Sequence, residues 1–267
     1  MTPLRLYTLL YLAFLYAPIV LLPLFAFNDG TVIAFPLRGF TTAWFAELAQ
    51  TEALHEAAVN SLIIAGATAG LATSLGVFAA RATSRYRFPG KAGVVGFIML
   101  PLVLPEIIVA LSLLVILLQL GLSLSIWTVV AGHVLLCVPF ATAILSGAFA
   151  GLDPSLEEAA VDLGEGRLSS FRLVTLPLIW PGLIASALIC FTISLDEFII
   201  AFFLSGNDPT LPVYLWGQLR FPGRLPIVFA LGTILVLASI ALLIGAEVMR
   251  RRGLRRAGLS DRGGSLV

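Results

Sequence analysis

Charge is scarce along this chain: Asp, Glu, Lys and Arg make up 12% of its 267 residues, and 59% are hydrophobic. Soluble domains carry about 25% charged residues, so a polar surface cannot be assembled here and lipid is the expected solvent. Lysine occurs once, at Lys91, followed by Ala92, and no G-x-x-x-x-G-K-[ST] run exists anywhere. That absence excludes a phosphate loop, so the chain should neither bind nor hydrolyse ATP itself. The two cysteines, Cys137 and Cys190, and the two histidines, His55 and His133, have no metal-ligand spacing. No metal or other cofactor is expected, and the cysteines read as packing residues. A net charge of +1 gives no electrostatic footprint for nucleic acid.

What the chain has instead is apolar runs of about 20 residues or more, the length that crosses a hydrocarbon core. Six are read, near 6–27, 58–80, 92–119, 124–149, 177–204 and 225–249. The expected fold is all-α, a polytopic membrane protein with about six transmembrane helices in a single domain, 1–267. The first run continues to Phe27 without a small-residue cleavage site, so it reads as a retained helix. If the N-terminus lies inside, 13 of the 16 basic residues fall on the cytoplasmic side and only Arg38, Arg220 and Arg224 outside. This bias predicts both termini in the cytoplasm.

The longest expected outer loop, Asn28 to about Ala57, carries FPLRGFTTAWFAEL and a short helical pattern near Ala43 to Ala49; a second, Ser205 to Arg224, is built of turn residues. The basic tail, 250–267, is expected to sit at lipid headgroups.

One segment, 153–177, breaks the apolar pattern. Asp153-Pro154 suits a helix start with Asp as cap, or Ser155 can cap with Glu158 closing a box. Leu156, Ala159, Ala160 and Leu163 follow helical spacing as a stripe of mostly small side chains, with Glu157, Glu158 and Asp162 facing elsewhere. Gly164 should end this helix, and a second pattern, Arg167 to Val174, leads into Leu176-Pro177. Interfacial helices usually present Lys or Arg to anionic lipid, whereas this one presents acids only. A protein partner at the inner face is expected, met by Glu157, Glu158, Ala159, Ala160, Asp162 and Gly164.

The stretch EAAVDLGEGRLSSFRLVTLP, Glu158 to Pro177, resembles the E-A-A-x3-G-x9-I-x-L-P signature of permease subunits of bacterial binding-protein-dependent ABC importers, with Val174 in place of Ile. RGFTTAWFAEL, RYRFPGK, PEIIVALSLL and SLDEF extend the likeness toward the spermidine/putrescine branch. The resemblance implies the type I importer permease fold in a bacterial inner membrane. It also implies these partners: a second homologous permease subunit, an ATP-binding cassette ATPase dimer seated on the 153–177 segment, and an extracytoplasmic solute-binding protein.

Glu106, Asp196 and Glu197 lie within expected spans, where a charge costs at least about 2.5–3.5 kcal/mol. Glu106 follows Pro101 and Pro105, which remove backbone donors and should break the third span, as in the discontinuous helices that line transport routes. With no Lys or Arg at their depth, the three acids are expected to line the pathway of a small organic cation, a polyamine by the resemblance. The same machinery could carry ferric iron, thiamine or an aminophosphonate, since the coupling motif does not encode the solute. A proton-coupled secondary transporter using the acids as a relay is the alternative from another class, and it leaves the acidic segment unexplained.

Overall fold

The computed structural model describes residues 3–256. The all-α expectation holds: among the described residues the one extended pairing is an isolated antiparallel bridge between Asn28 and Phe40. In chain order the helices are α1 (Pro3–Ala26), α2 (Ala43–Gln50), α3 (Glu52–Arg85), α4 (Lys91–Met99), α5 (Glu106–Gln119), α6 (Ile126–Ala150) and α7 (Ser155–Asp162). They continue as α8 (Arg167–Ser170), α9 (Leu176–Leu178), α10 (Trp180–Asp196), α11 (Ile199–Leu204), α12 (Leu211–Gln218) and α13 (Leu225–Arg256). The expected basic tail lies outside the described residues beyond Arg256, and outside the described side chains before it.

Four stretches, Pro3–Ala26, Glu52–Arg85, Ile126–Ala150 and Pro222–Ala241, are each long and apolar enough to cross a membrane, and two bent pairs raise the number to six. The third expected span is one of these pairs. After α4 a 3₁₀ turn, Leu100–Leu102, leads into α5 at an angle of 99°. Pro101 and Pro105 remove two backbone donors, so the helical ladder loses its bonds here and the break falls where the sequence puts it.

The fifth expected span, drawn as continuous from 177 to 204, needs correction at two places. The helical run Arg167–Leu178, which includes a π turn at Phe171–Thr175, meets α10 at 71°. At the other end α10 stops at Asp196, Glu197 is extended at φ −67° and ψ 125°, and α11 starts afresh at Ile199. No proline or glycine marks this second break. Its cause is the Glu197 side chain, which caps the following helix.

By packing, the chain forms two compact units, one running Glu52–Tyr214 and the other made of the chain through Thr51 together with that from Leu215 onward. In the latter, α1 and α2 both pack on α13. Its loop is folded around Asn28, only 2% exposed, whose Oδ1 accepts the Arg38 N–H at 3.1 Å and whose carbonyl accepts the Trp44 indole N–H at 2.8 Å.

The core of the Glu52–Tyr214 unit is α3, α6 and α10. In lipid, helices associate through close backbone approach rather than through expulsion of water, so small residues belong at the contacts. A Cβ added at Gly76 would lie 2.7 Å from that of Ala141, and one at Gly182 2.7 Å from that of Ala148. Ala65, Ala72, Ala80 and Ala141 are fully buried. Thr73 and Ser186 hydroxyls meet at 3.2 Å across α3 and α10. Cys137 and Cys190, both free and buried, face each other across α6 and α10, each Sγ 3.7 Å from the other's carbonyl.

Candidate functional site

Two places carry chemistry, both within the Glu52–Tyr214 unit. The first is the acidic segment 153–177, an elbow in which α7 turns at Gly164 into the helical run that begins with α8. Asp153 caps α7: its Oδ1 accepts the Ser155 N–H at 3.0 Å, and the Ser155 N–H and hydroxyl hold the Asp153 carboxyl below the usual carboxylate range. Of the two helix starts the sequence allows, this one is realised. α7 closes with Gly164 at φ +95°, its N–H on Val161 O at 2.9 Å, and the Glu165 N–H on Ala160 O at 3.0 Å. That bond pair is the Schellman closure, which needs a left-handed residue where glycine stands.

Two of the residues expected to meet a partner, Glu157 and Ala160, turn inward on α7. Leu163 is 87% exposed, Leu156 44%, and Ala159 is open, while Ala160 alone of the stripe is buried. Glu158, Asp162 and Gly164 are exposed, but Glu157 turns inward, on the side of Ala160 three residues on. Its Oε1 accepts the Thr175 hydroxyl at 2.7 Å and lies 3.9 Å from Arg85 Nε, and its Oε2 lies 3.9 Å from Arg81 Nη2. The carboxylate is drawn in because two guanidiniums from the end of α3 wait there. Arg81 and Arg85 register in the sequence only as inside positive charges; their i, i+4 spacing on one helix face was the available signal for a shared partner.

The second place is a cavity of about 630 Å³ whose wall includes Glu106, Asp196 and Glu197 together, with Pro101, Phe140 and Phe198 among the apolar lining. Glu106 and the adjacent pair Asp196 and Glu197, 90 positions on, thus share one hollow, brought there by the two helix breaks. Glu106 is the first residue of α5, where the unpaired N–H groups of a helix start favour negative charge. Asp196 is the last residue of α10, and both it and Glu106 are exposed.

Glu197 is held differently. Its Oε1 accepts the Ile200 N–H at 2.9 Å and its Oε2 the Ala201 N–H at 3.1 Å, which satisfies the first turn of α11. Oε2 also lies 3.0 Å from Nε2 of the fully buried His133, whose Nδ1 is 2.7 Å from the Ser194 hydroxyl. Nothing near His133 in the chain can serve as its partner. Its partners arrive from α10 and the break after it, 61 and 64 positions later.

Broken helices of membrane-spanning length, a cavity with three carboxylates in its wall and an acidic elbow fit a solute permease. The chain belongs to the family described as the binding-protein-dependent transport system inner membrane component, which matches residues 72–254. It is therefore a multi-pass inner-membrane permease subunit of an ABC importer, not an enzyme. Its relatives include the spermidine/putrescine transport system permease protein PotC of Haemophilus influenzae, 35% identical over 90% of this chain and 93% of that one. The putrescine transport system permease protein PotI of Escherichia coli K12 is 36% identical over 93% of each chain. The fold also matches a chain of the bacterial alginate ABC transporter solved in complex with an alginate pentasaccharide-bound periplasmic protein. There the TM-score is 0.70, with 21% identity and 93% of each chain covered.

Proposed function

We propose that this chain is one of two permease subunits of an ATP-driven importer for a polyamine, with spermidine or putrescine as the substrate class. The observation that carries the reading is the cavity in which Glu106, Asp196 and Glu197 converge between apolar and aromatic walls. A linear polyamine is a chain of methylenes between ammonium groups. Carboxylates match its charges, apolar wall matches its stems, and phenyl faces attract ammonium. A cavity of this size, mostly apolar with a few convergent polar groups, has the character of a small-molecule site. The names of PotC and PotI point to the same solutes.

In this reading both termini are cytoplasmic. The elbow seats on an ATPase dimer through Glu158, Ala159, Asp162 and Gly164, with Glu157 and Ala160 bracing it from behind, and the loops at the opposite face meet an extracytoplasmic solute-binding protein. The amide variants Glu106→Gln and Asp196→Asn keep shape and remove charge. Uptake of labelled spermidine or putrescine into vesicles holding the assembled complex should fall about tenfold for Glu106→Gln or Asp196→Asn, a loss of about 1.4 kcal/mol in the translocation step. Parent-like uptake in both would remove the residue-level basis for a cationic substrate.

A further inference from the structure

Five contacts converge around Glu157, and together they join the elbow to the end of one long helix. Arg81 and Arg85 both approach its carboxylate at 3.9 Å, with Thr175 donating to it at 2.7 Å. The Arg81 guanidinium also lies over the Phe171 ring, 4.3 Å from its centre, and Arg85 Nη2 donates to the Leu152 carbonyl at 3.0 Å. Two residues of α3 thus grip α7 through Glu157, the second limb of the elbow through Phe171, and the chain leaving α6 through Leu152. All three side chains of the ion-pair cluster are no more than 21% exposed, so solvent weakens their attraction less than at an open surface.

The same helix is tied down again 20 to 25 positions before the arginines, about 30–38 Å along it. Ser61 Oγ accepts the Leu211 N–H at 2.7 Å, and Asn60 Nδ2 donates to the Pro209 carbonyl at 3.3 Å. With 34 residues, α3 runs about 51 Å at 1.5 Å per residue. Along its length it is pinned to α6 at Gly76 and to α10 at Thr73. One helix therefore holds the elbow at its C-terminal end and the Pro209–Leu211 loop at Asn60 and Ser61, about 30 Å along it.

We propose that Arg81 and Arg85 are positioning residues that lock the elbow to α3, so that movement imposed on the elbow is delivered along α3 to the Pro209–Leu211 loop. This rests on the reading of the elbow as the ATPase seat. It gives Glu157 a role inside the chain and leaves Glu158 and Asp162 to face the partner. The transfer is mechanical: a helix packed through small residues cannot bend locally without opening gaps, so displacement at one end appears at the other.

The test uses the complete complex in vesicles, with ATP hydrolysis measured with and without substrate-loaded binding protein, and with retention of the ATPase scored by co-purification. Arg81→Ala/Arg85→Ala should retain the ATPase but lose about tenfold of the stimulation by loaded binding protein, within the range expected for coupling residues. Arg81→Lys/Arg85→Lys, keeping the charges, should recover most of it. Thr175→Val, which removes a single hydrogen bond to Glu157, should give a smaller loss of the same kind and serves if the alanine pair does not accumulate. Combining Ser61→Ala with Arg85→Ala should cost no more than the worse single variant, since both cut one line of transfer. Normal stimulation in the arginine and Thr175 variants overturns the proposal, as does independent multiplication of the two ends' effects or loss of the ATPase itself. Gly164→Val is assayed alongside: if it too keeps full attachment and stimulation, the elbow reading has failed, whereas an impaired Gly164→Val beside normal arginine variants sinks the α3 proposal alone.

Discussion

Glu197 shows how a buried acid is made tolerable in a membrane helix. Two backbone N–H groups and the His133 imidazole surround its carboxylate, which is 9% exposed at the residue level. Removing His133 while Glu197 stays leaves both that carboxylate and the Ser194 hydroxyl short of a partner. A buried polar group so orphaned costs about 1–3 kcal/mol. His133→Leu should therefore lower the thermal unfolding temperature of the purified complex, and combining it with Glu197→Gln, which by itself sets an amide NH2 against one of the backbone N–H groups, should cost less than the sum of the two single losses. A fully additive loss in the double variant would show that the two side chains do not act as a pair. Asp196 has no such cap and faces the cavity from a helix C-terminus, the unfavourable end for a negative charge. That contrast makes Asp196 and Glu106, rather than Glu197, the acids available to a passing cation.

Elements are set by where helices are forced to stop. Pro101 and Pro105 stop the third span for reasons any reader of the sequence can give, and Gly164 stops α7 by the same kind of rule. The Glu197 break has no such mark, because a side chain that caps forward is indistinguishable in sequence from one that points anywhere else. Gly164 also permits a clean experiment. A Cβ there would meet nothing within 4 Å, yet the backbone sits at φ +95°. Asn tolerates left-handed geometry, whereas a β-branched residue does not. Gly164→Asn should keep the elbow folded while placing a side chain on its open face, and Gly164→Val should distort the turn as well. If the ATPase must approach that face closely, both variants should reduce its co-purification; retention in Gly164→Asn with loss in Gly164→Val would mean that only the turn matters.

On the scale of the molecule, the basic residues predict the side on which each loop lies. Cysteines placed at Ala46 and Asn207, both exposed, should be labelled from outside by an impermeant thiol reagent, and those at Ser84, Glu165 and Ser260 only after the membrane is opened. Outside labelling at Glu165 would remove the ATPase seat from the cytoplasm and with it the elbow's function. The sequence by itself determined the solvent, the number and approximate place of the apolar runs, the first of the helix breaks and the acidic elbow. Each of these rests on composition, on local spacing or on residues that restrict their own backbone. Only the tertiary structure decided that Glu106, Asp196 and Glu197 share a cavity, that His133 belongs to Glu197, and that Glu157 turns inward to Arg81 and Arg85. Those encounters span 90 and 91 positions from Glu106 to the two neighbouring acids, 64 from His133 to Glu197 and more than 70 from the arginines to Glu157. They are fixed by which small-residue faces of α3, α6 and α10 approach, and no local pattern encodes that.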